Sequence, residues 1–320
     1  MTNSIDEIKN VQTLFLIGSN PTEAHPIVGL EMKKALANGA KLIVCDPRRN
    51  HLIAKEGDKD DPIDAEKLAQ LLRGGYLKPV HHPESFERVA FKHHVALYHD
   101  LVRQRVRAAN HIMAYLRRYG VFIKEKAFAE VSGRDELLGK LPNHRVVRSN
   151  LLLLWKGYQV ASDQVRQSRR RLVLLARKEP QIRRLTALPG ISWIRAATFF
   201  VFVDTPWRFK SKSALWKYLG IGLERRRSGA GPGQLYVARQ ANRVLKGTIV
   251  GAAKSAIATG DNPFAEQYRR CIEQGISPRN ARRNVARSQA ATLWGMWKNG
   301  SAYRPEWVGV CLAEKPLACS

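Results

Sequence analysis

The sequence predicts an α/β segment at the N-terminus, followed by a long helical hairpin and a mainly α-helical C-terminal region. Two apolar runs near the N-terminus flank one helical pattern, helical apolar spacing then covers much of residues 95–178, and Pro180 interrupts it. The 320 residues have the length of about two domains. We expect three parts, at residues 1–90, 91–180 and 181–320.

The N-terminal segment is predicted to be a strand–helix–strand unit with parallel strands. Residues 13–17 (TLFLI) form a short apolar run that ends at a turn signal, residues 18–21 (GSNP). Residues 27–37 have helical spacing, and residues 41–45 (KLIVC) form a second apolar run. Two continuous apolar strands joined through a helix are typical of a parallel sheet.

Two long amphipathic helices are predicted next. Apolar side chains recur at helical spacing over residues 95–116 and again over residues 146–178, with Gly120 and Pro180 as the respective stop signals. The outer faces of both helices are basic. We expect an antiparallel helical hairpin, an arrangement that would suit a homo-oligomer.

The C-terminal region contains a predicted helix-hairpin-helix-like turn at residues 185–191 (LTALPGI). In such a turn a glycine, here Gly190, lets backbone N–H groups approach a DNA phosphate. An ordinary helix C-cap would need the same glycine, so the motif alone leaves both interpretations open. Residues 228–233 (SGAGPG) are expected to form a flexible loop between segments.

The charge distribution favours a polyanionic partner. The chain has 54 Lys and Arg against 27 Asp and Glu, a net charge of +27; the first 90 residues carry −1 and the rest +28. Distributed cations suit phosphate binding, although any single run can be a solvated face. A membrane surface fits less well, because no basic segment carries a clean apolar face. The residues predicted to contact nucleic acid, besides Gly190, are Arg169, Arg170, Arg171, Arg225, Arg226 and Arg227.

Composition excludes several other classes of protein. No apolar run approaches the roughly 20 residues of a membrane helix. The N-terminal residues MTNSIDEIKN are too polar and acidic for a secretory signal, and four scattered cysteines fit neither a disulfide framework nor a paired-cysteine zinc site. We therefore expect a cytoplasmic protein.

Asp61 and Asp64 are the clearest candidates for a metal site. They stand three residues apart at a predicted helix start, so both carboxylates project from one side of the first turn. A Mg²⁺ ion would relieve their repulsion and polarise a phosphate. The alternative is structural, because Asp61 would also cap the helix and Asp64 would interact favourably with the helix dipole.

The residues around this pair resemble a known family. Residues 46–50 (DPRRN), 51–54 (HLIA) and 57–69 (GDKDDPIDAEKLA) are similar to the end of the RuvC-like domain in the bridge-RNA-guided DEDD transposases, the one-ten family of insertion sequences. In that family a Lys-x-Asp-x-x-Asp-Ala motif supplies the last two acidic residues, which match Asp61 and Asp64. The resemblance implies an incomplete RuvC/RNase H-like domain at the N-terminus.

The second half of the chain is similar to the C-terminal transposase domain of the same family, so the resemblance covers about residues 44–310. The resemblance implies that Ser228 is the nucleophile that joins to a DNA phosphate, beside arginines that neutralise its charge. Without the family, a loop serine before glycine is an ordinary turn residue. The matching motifs are residues 188–191 (LPGI), 204–209 (DTPWRF), 218–220 (YLG), 227–229 (RSG) and 241–242 (AN).

The N-terminus departs from the family pattern. The first acidic residue has no counterpart, and Glu23 is the candidate for the second. Residues 11–49 instead resemble a segment of molybdopterin-dependent oxidoreductases such as formate dehydrogenases. Residues 46–49 (DPRR) fit either family, which is where a recombination junction would sit. We interpret the N-terminus as a foreign or replaced segment.

The expected function is that of a DNA transposase, with Mg²⁺ held by Asp61, Asp64 and Glu23 and with Ser228 attacking the phosphate. By resemblance, its partners are the DNA of the element ends and target and a structured guide RNA. One alternative is a catalytically impaired DNA- or RNA-binding remnant, because the first acidic residue is missing. Another is an oxidoreductase fragment, although nothing after residue 50 continues that pattern.

Overall fold

The structure is a computed structural model that describes residues 4–17, 26–45, 66, 69–71, 73–74, 81, 85–123, 131–226, 234–237 and 241–306. The chain divides into two compact units, Met1–His82 and Pro83–Ser320. The described residues are mostly helical, with two small sheets. None of the helices in this part of the chain is both long and apolar enough to cross a membrane.

The first unit contains the predicted strand–helix–strand arrangement. The two strands pair in parallel, with Thr13 opposite Lys41, which confirms the predicted sheet. Gly39 follows the helix with a φ of +92°, a conformation that glycine adopts without strain. The elements are a 3₁₀ helix (Ile5–Asn10), β1 (Thr13–Ile17), α1 (Pro26–Ala37) and β2 (Lys41–Cys45).

The apolar residues that predict α1 are only partly buried. Ile27, Leu30 and Leu36 are exposed, whereas Met32 and Ala35 are buried. A two-stranded sheet is too small to cover a whole helix face. The spacing therefore predicted the helix correctly but not which of its side chains are covered.

The second unit begins with the predicted helical hairpin, whose two long helices run antiparallel. Near one end of the pair, the Tyr115 hydroxyl donates to the Val147 carbonyl over 3.1 Å. Near the other end, His94 Nε2 lies 3.2 Å from the Ser168 carbonyl oxygen. The helices are α2 (Phe86–Arg117), α4 (Arg145–Lys178) and, between them, the short α3 (Val131–Gly139).

The first helix of the hairpin begins earlier than the predicted residue 95. Ser85 is its N-cap, and the serine side chain accepts a hydrogen bond from the Arg88 backbone N–H. A capping serine satisfies an N–H group that would otherwise lack a partner, so α2 extends back to Phe86 although its first turns bury little apolar surface.

Two apolar clusters hold the hairpin together. At its root, Val95, Leu172 and Ala176 belong to the main core, which continues into the C-terminal helices. This core contains side chains from both sides of Pro180, so it does not divide at that residue. The three-part division of the chain stays a prediction. The separate cluster at the tip contains Ala109, Ile112, Leu116, Leu137, Leu141, Leu151, Trp155 and Tyr158.

The C-terminal helices enclose one almost wholly buried helix, α6 (Trp193–Val203). Residues 196–201 and Val203 are buried, and the Phe200 ring stacks on Trp297 with centroids 4.9 Å apart. A helix that is apolar all round is stable only inside a core. The surrounding helical elements are α5 (Pro180–Leu185), a 3₁₀ turn (Pro206–Arg208), α7 (Lys212–Tyr218), α8 (Arg243–Thr259), α9 (Pro263–Glu273) and α10 (Pro278–Asn299).

A β-hairpin, which the sequence analysis did not predict, lies between α7 and α8 in the chain. β3 (Leu223–Arg226) pairs antiparallel with β4 (Gln234–Val237). Strands of four residues are too short to display a clear alternating pattern, so only the glycine-rich connection between them was visible in the sequence.

His99 on α2 lies against α6. Its Nε2 is 2.9 Å from the Thr198 hydroxyl, which itself donates to the Ile194 carbonyl. Burial, and next the charge of Arg103, lower the pKa of His99. The neutral imidazole is therefore the form that the folded state prefers.

We predict that the free energy of unfolding falls as the pH drops below about 6.5, because the unfolded chain then binds a proton that folded His99 resists. Urea unfolding at pH 7.5 and pH 5.5 measures this loss. His99→Gln keeps a hydrogen-bond donor and should lose less stability between the two pH values than the parent protein. The matched control is His111→Gln at an exposed position of α2; an equal loss in the parent and His99→Gln would contradict the prediction.

Candidate nucleic-acid interface

The four residues predicted to be catalytic, Glu23, Asp61, Asp64 and Ser228, all lie outside the described residues. Arg227, which is predicted to contact nucleic acid, also lies outside them. Their roles stay predictions. Within the described ranges, no group of three His, Cys, Asp or Glu side chains is arranged to hold a metal ion.

The structure does describe the β-hairpin from which the Ser228 segment extends. Leu223 pairs with Val237 at one end of the ladder and Arg226 with Gln234 at the other. Residues 227–233 connect the two strands, so Ser228 is the second residue beyond the last pair. Arg225 and Arg226 lie within β3, immediately before this connection.

The turn that leads into β3 is fixed by Arg287 of α10. Arg287 Nε donates to the Ile221 carbonyl over 2.7 Å, and the Trp216 indole donates to the Arg287 carbonyl over 3.0 Å. Gly220 in this turn has a φ of +68°. Arg287 and Trp216 therefore tie the start of the hairpin to α7 and α10 at the same point.

The chain leaving the hairpin is fixed close to the same turn. The Asn242 backbone N–H donates to the Tyr218 carbonyl over 3.1 Å, next to the turn that Arg287 holds. The Asn242 side chain accepts the Leu245 N–H over 3.1 Å and caps α8. Both ends of the hairpin segment are thus fixed to the helical core.

The residues of the predicted helix-hairpin-helix-like turn connect α5 to α6, and Gly190 makes a close contact there. Gly190 has a φ of +79°, and a Cβ at this position would overlap the Ala252 carbonyl oxygen and lie 2.9 Å from the Ala256 nitrogen of α8. Packing against α8 therefore requires glycine whether or not the turn binds phosphate. The nucleic-acid role of Gly190 stays a prediction.

Two polar side chains hold this turn in place. Arg195 Nη1 donates to the Gly190 carbonyl over 2.6 Å and to the Ser255 hydroxyl of α8 over 2.8 Å. Gln289, which is fully buried in α10, donates to the Pro189 carbonyl over 2.9 Å. The turn is rigidly attached to α8 and α10.

The predicted basic face of the hairpin is exposed. Arg169, Arg170 and Arg171 follow one another on α4, and all three are exposed. Three consecutive helical residues point in directions about 100° apart, so they cover a broad arc of the helix surface. This arc is accessible to a polyanion in the described structure of the second unit.

A cluster of cations and aromatic rings surrounds the segment after α6. Asp204 is buried with a φ of +70°, a conformation that is uncommon outside glycine. Arg88 donates to the Asp204 carbonyl, lies 3.3 Å from its carboxylate, and packs 4.4 Å from the Phe200 ring centroid. Arg88 thereby fixes the start of α2 to the end of α6.

Further cations lie beside this segment. Burial, and next the charge of Arg208, lower the pKa of Lys92. Trp207 is 68% exposed, and Lys298 Nζ lies 4.8 Å from its ring centroid. Lys92, Arg208 and Lys298 thus place cationic side chains beside residues 204–209, the segment that the resemblance singled out.

Two transposase family models match the chain. A transposase model of the IS110 DEDD type matches residues 14–121, and a model described as Transposase IS116/IS110/IS902 family matches residues 182–269. Together the two segments cover more than half of the chain. The chain belongs to the IS110 family of transposases. The first match covers β1 from Leu14 onward, together with α1 and β2. The similarity to the transposase family thus begins earlier than residue 44, where the resemblance was predicted to start.

Individual relatives fall into two groups. The protein named "Putative transposase y4pF/y4sB" of Sinorhizobium fredii is 23% identical over 251 residues, which are 77% of this chain and 64% of that protein. Formate dehydrogenase H of Escherichia coli is 51% identical over 49 residues, 15% of this chain and 7% of the enzyme. An F420-dependent formate dehydrogenase subunit alpha of Methanocaldococcus jannaschii is 45% identical over 58 residues, 18% of this chain and 8% of that subunit.

These matches confirm both resemblances identified in the sequence. The transposase relative is similar over most of this IS110-family chain, whereas the formate dehydrogenases share only a short stretch with it. The chain spans under two thirds of the transposase relative and less than a tenth of these two formate dehydrogenases. The origin of the N-terminal segment stays a prediction.

Sequence reasoning missed the residues that position the two motifs, namely Arg195, Arg287 and Gln289. A weak indication existed for two of them. Gln289 interrupts an apolar helical stripe, where a polar residue needs a specific partner. Arg287 follows Arg283 by four residues, on the same helix face.

The Gly190 contact predicts the effect of a small substitution in this transposase-family chain. Gly190→Ala should lower the free energy of unfolding by about 2 kcal/mol or more, because the new methyl group overlaps α8 and the backbone must keep a positive φ. Thermal or urea unfolding measures this loss.

Gly247→Ala is the matched control for that substitution. Gly247 lies within α8, and a Cβ there would meet nothing within 4 Å. Alanine should therefore leave stability unchanged or raise it by up to about 1 kcal/mol. Equal effects of the two substitutions on the free energy of unfolding would show that stability does not depend on the close approach of the turn to α8.

Proposed function

We propose that this chain is an insertion-sequence DNA transposase that cuts and rejoins DNA through Ser228 and a metal-dependent acidic site, with guidance by a structured RNA. The observation that carries the proposal is the pair of transposase family matches, in order, along one chain. The acidic site would consist of Asp61 and Asp64, with Glu23 as a third ligand.

The donor set suits a divalent cation. Two aspartates and a glutamate offer only oxygen ligands, which Mg²⁺ prefers. Bound there, Mg²⁺ would neutralise charge on the phosphate. No residue of this sequence matches the first acidic position of the family pattern, so Glu23, Asp61 and Asp64 are the candidate ligands.

Ser228 would act as the nucleophile. Its Oγ attacks the phosphorus, an Oγ–P bond forms, and the bond from phosphorus to the departing DNA hydroxyl breaks. The serine proton passes to a carboxylate of the acidic site, and the leaving oxygen takes up a proton. Attack by a DNA hydroxyl on the serine-linked phosphate then restores the serine and joins the strands, so no external energy source is consumed.

The anchoring of the β-hairpin supports this role. Arg287 and Asn242 fix the two ends of the segment that contains Ser228. Arg287 Nε donates to the Ile221 carbonyl over 2.7 Å, and the Asn242 backbone N–H donates to the Tyr218 carbonyl over 3.1 Å. A nucleophile presented from a fixed base needs less ordering when substrate binds. The arginines at 225–227 would place positive charge beside the phosphate under attack.

A second candidate function is nucleic-acid binding without strand exchange. The absence of a counterpart for the first acidic residue favours it, because a metal site with fewer carboxylates binds its ion less well. Both functions require the same basic surface and differ only in the chemistry. An oxidoreductase activity has little support, since the formate dehydrogenases named above share less than a tenth of their length with this chain.

Substitution of the nucleophile tests the catalytic proposal. Ser228→Ala should abolish both strand exchange and the covalent protein–DNA adduct, and Asp61→Ala should reduce strand exchange on the order of a thousandfold or more. Both are measured on DNA that carries the element ends, with Mg²⁺ present. Ser213→Ala, at an exposed serine of α7, should retain full exchange. Unchanged exchange in Ser228→Ala would remove this serine from the mechanism.

Salt dependence tests the binding proposal separately. A chain segment with a net charge of +28 should contact many phosphates, so the affinity for duplex DNA or structured RNA should fall by about 10³-fold or more between 50 and 200 mM salt. Fluorescence anisotropy at several salt concentrations gives the slope. A salt-independent affinity would rule out both candidate functions. An affinity that falls steeply with salt, in a protein that performs no strand exchange, would favour the second.

A further inference from the structure

An arginine–asparagine pattern repeats every four residues at the start of α10. Arg279-Asn280 is followed by Arg283-Asn284 and then by Arg287. Residues four apart share a helix face, so Arg279, Arg283 and Arg287 form one row, about 12 Å long along the axis. We call these three residues the arginine row.

The arginine row is oriented by neutral groups. Arg283 Nη1 donates to Asn280 Oδ1 over 3.2 Å, and Arg287 Nη1 donates to Asn284 Oδ1 over 2.9 Å. Among the described residues, none of the three arginines has a carboxylate partner. An amide oxygen orients a guanidinium without cancelling its charge, whereas a carboxylate would do both.

The three like charges also act on one another. Burial, and next the charge of Arg279, lower the pKa of Arg283; burial, and next the charge of Arg283, lower the pKa of Arg287. Holding such charges together costs free energy, which a bound anion would offset.

The inner end of the arginine row lies at the base of the β-hairpin. Arg287 Nε donates to the carbonyl of Ile221, two residues before β3 begins. Arg283 and Arg287 are partly buried, whereas Arg279 is exposed. The row thus runs from the start of the strand that precedes Ser228 out to solvent.

We propose that the arginine row is a phosphate-binding site that holds the backbone of the DNA strand that Ser228 attacks. This inference rests on the proposed function of Ser228. Each guanidinium has five N–H donors, and the amide contacts use only one of those on Arg283, so donors remain for bidentate contact with a phosphate. Arg287 joins the site to the hairpin, and Arg283 and Arg279 bind the strand.

Binding is measured in the Ser228→Ala protein, so that no DNA is cut, over a series of salt concentrations. Adding Arg283→Gln should weaken binding to duplex DNA roughly tenfold and lower the salt slope by about one. Arg283→Lys should keep the slope, since the charge remains. Melting temperatures identify any variant that fails to fold, and Arg279→Gln, at an exposed position, provides an independent second test with the same expected change in slope.

Arg270→Gln is the matched control. Arg270 lies on the neighbouring helix α9 and is paired with Glu266 over 3.1 Å, so its charge is already compensated. Its loss should leave the salt slope unchanged. The proposal is overturned if Arg283→Gln and Arg279→Gln both keep the parental slope, or if Arg270→Gln changes it equally.

Uncharged phosphate analogues locate the bound strand. A single methylphosphonate is placed within a few nucleotides of the phosphate that becomes linked to Ser228 in the unsubstituted protein. It should weaken DNA binding by the Ser228→Ala protein, but it should not weaken binding further when Arg283→Gln is also present. Coupling found only far from that phosphate would show that the row binds a different strand. If the parent protein links to no phosphate, the proposed function fails, and the salt series alone decides whether the row binds DNA.

Discussion

The burial of α6 is the constraint on which the second unit depends. Seven of its eleven residues are buried, so the helix is stable only when other helices enclose it. Polar contacts along α6 then set how each neighbour is placed. His99 of α2 meets Thr198, Arg195 reaches Ser255 of α8, and Arg88 reaches the chain directly after the helix. A central apolar helix with a few directional contacts thus determines the arrangement of the elements around it.

The same core brings two motifs of the transposase family onto one helix. On α10, Arg287 holds the turn before the β-hairpin and Gln289 holds the turn before α6. These two residues are only two positions apart. The hairpin that leads to Ser228 and the turn that contains Gly190 are therefore fixed relative to each other through α10, although about 30 residues separate them in the chain.

The long helices could be predicted from the sequence because their apolar spacing persists over many turns, and Gly120 and Pro180 indicate where they end. The parallel β1–β2 pair was also predictable, since a strand–helix–strand unit allows few other arrangements. The β-hairpin was not, because its strands have four residues each. At the candidate site, the resemblance predicts Asp61, Asp64 and Ser228, and these three residues stay predictions. The arginine row was not predicted, because adjacent pairs such as Arg282-Arg283 obscure its spacing of four residues. Buried positioning residues such as Gln289 become evident only when their carbonyl partners are known.

The separate apolar cluster at the tip of the hairpin divides the long helices into two regions of unequal local stability. The root shares its core with α6, but the tip depends on eight buried residues of its own. Local opening costs only the contacts of the cluster that opens. Amide hydrogens near Ile112 and Trp155 will accordingly exchange with solvent faster than those near Val95 and Leu172, because the far end of the hairpin opens at a lower free-energy cost than the root.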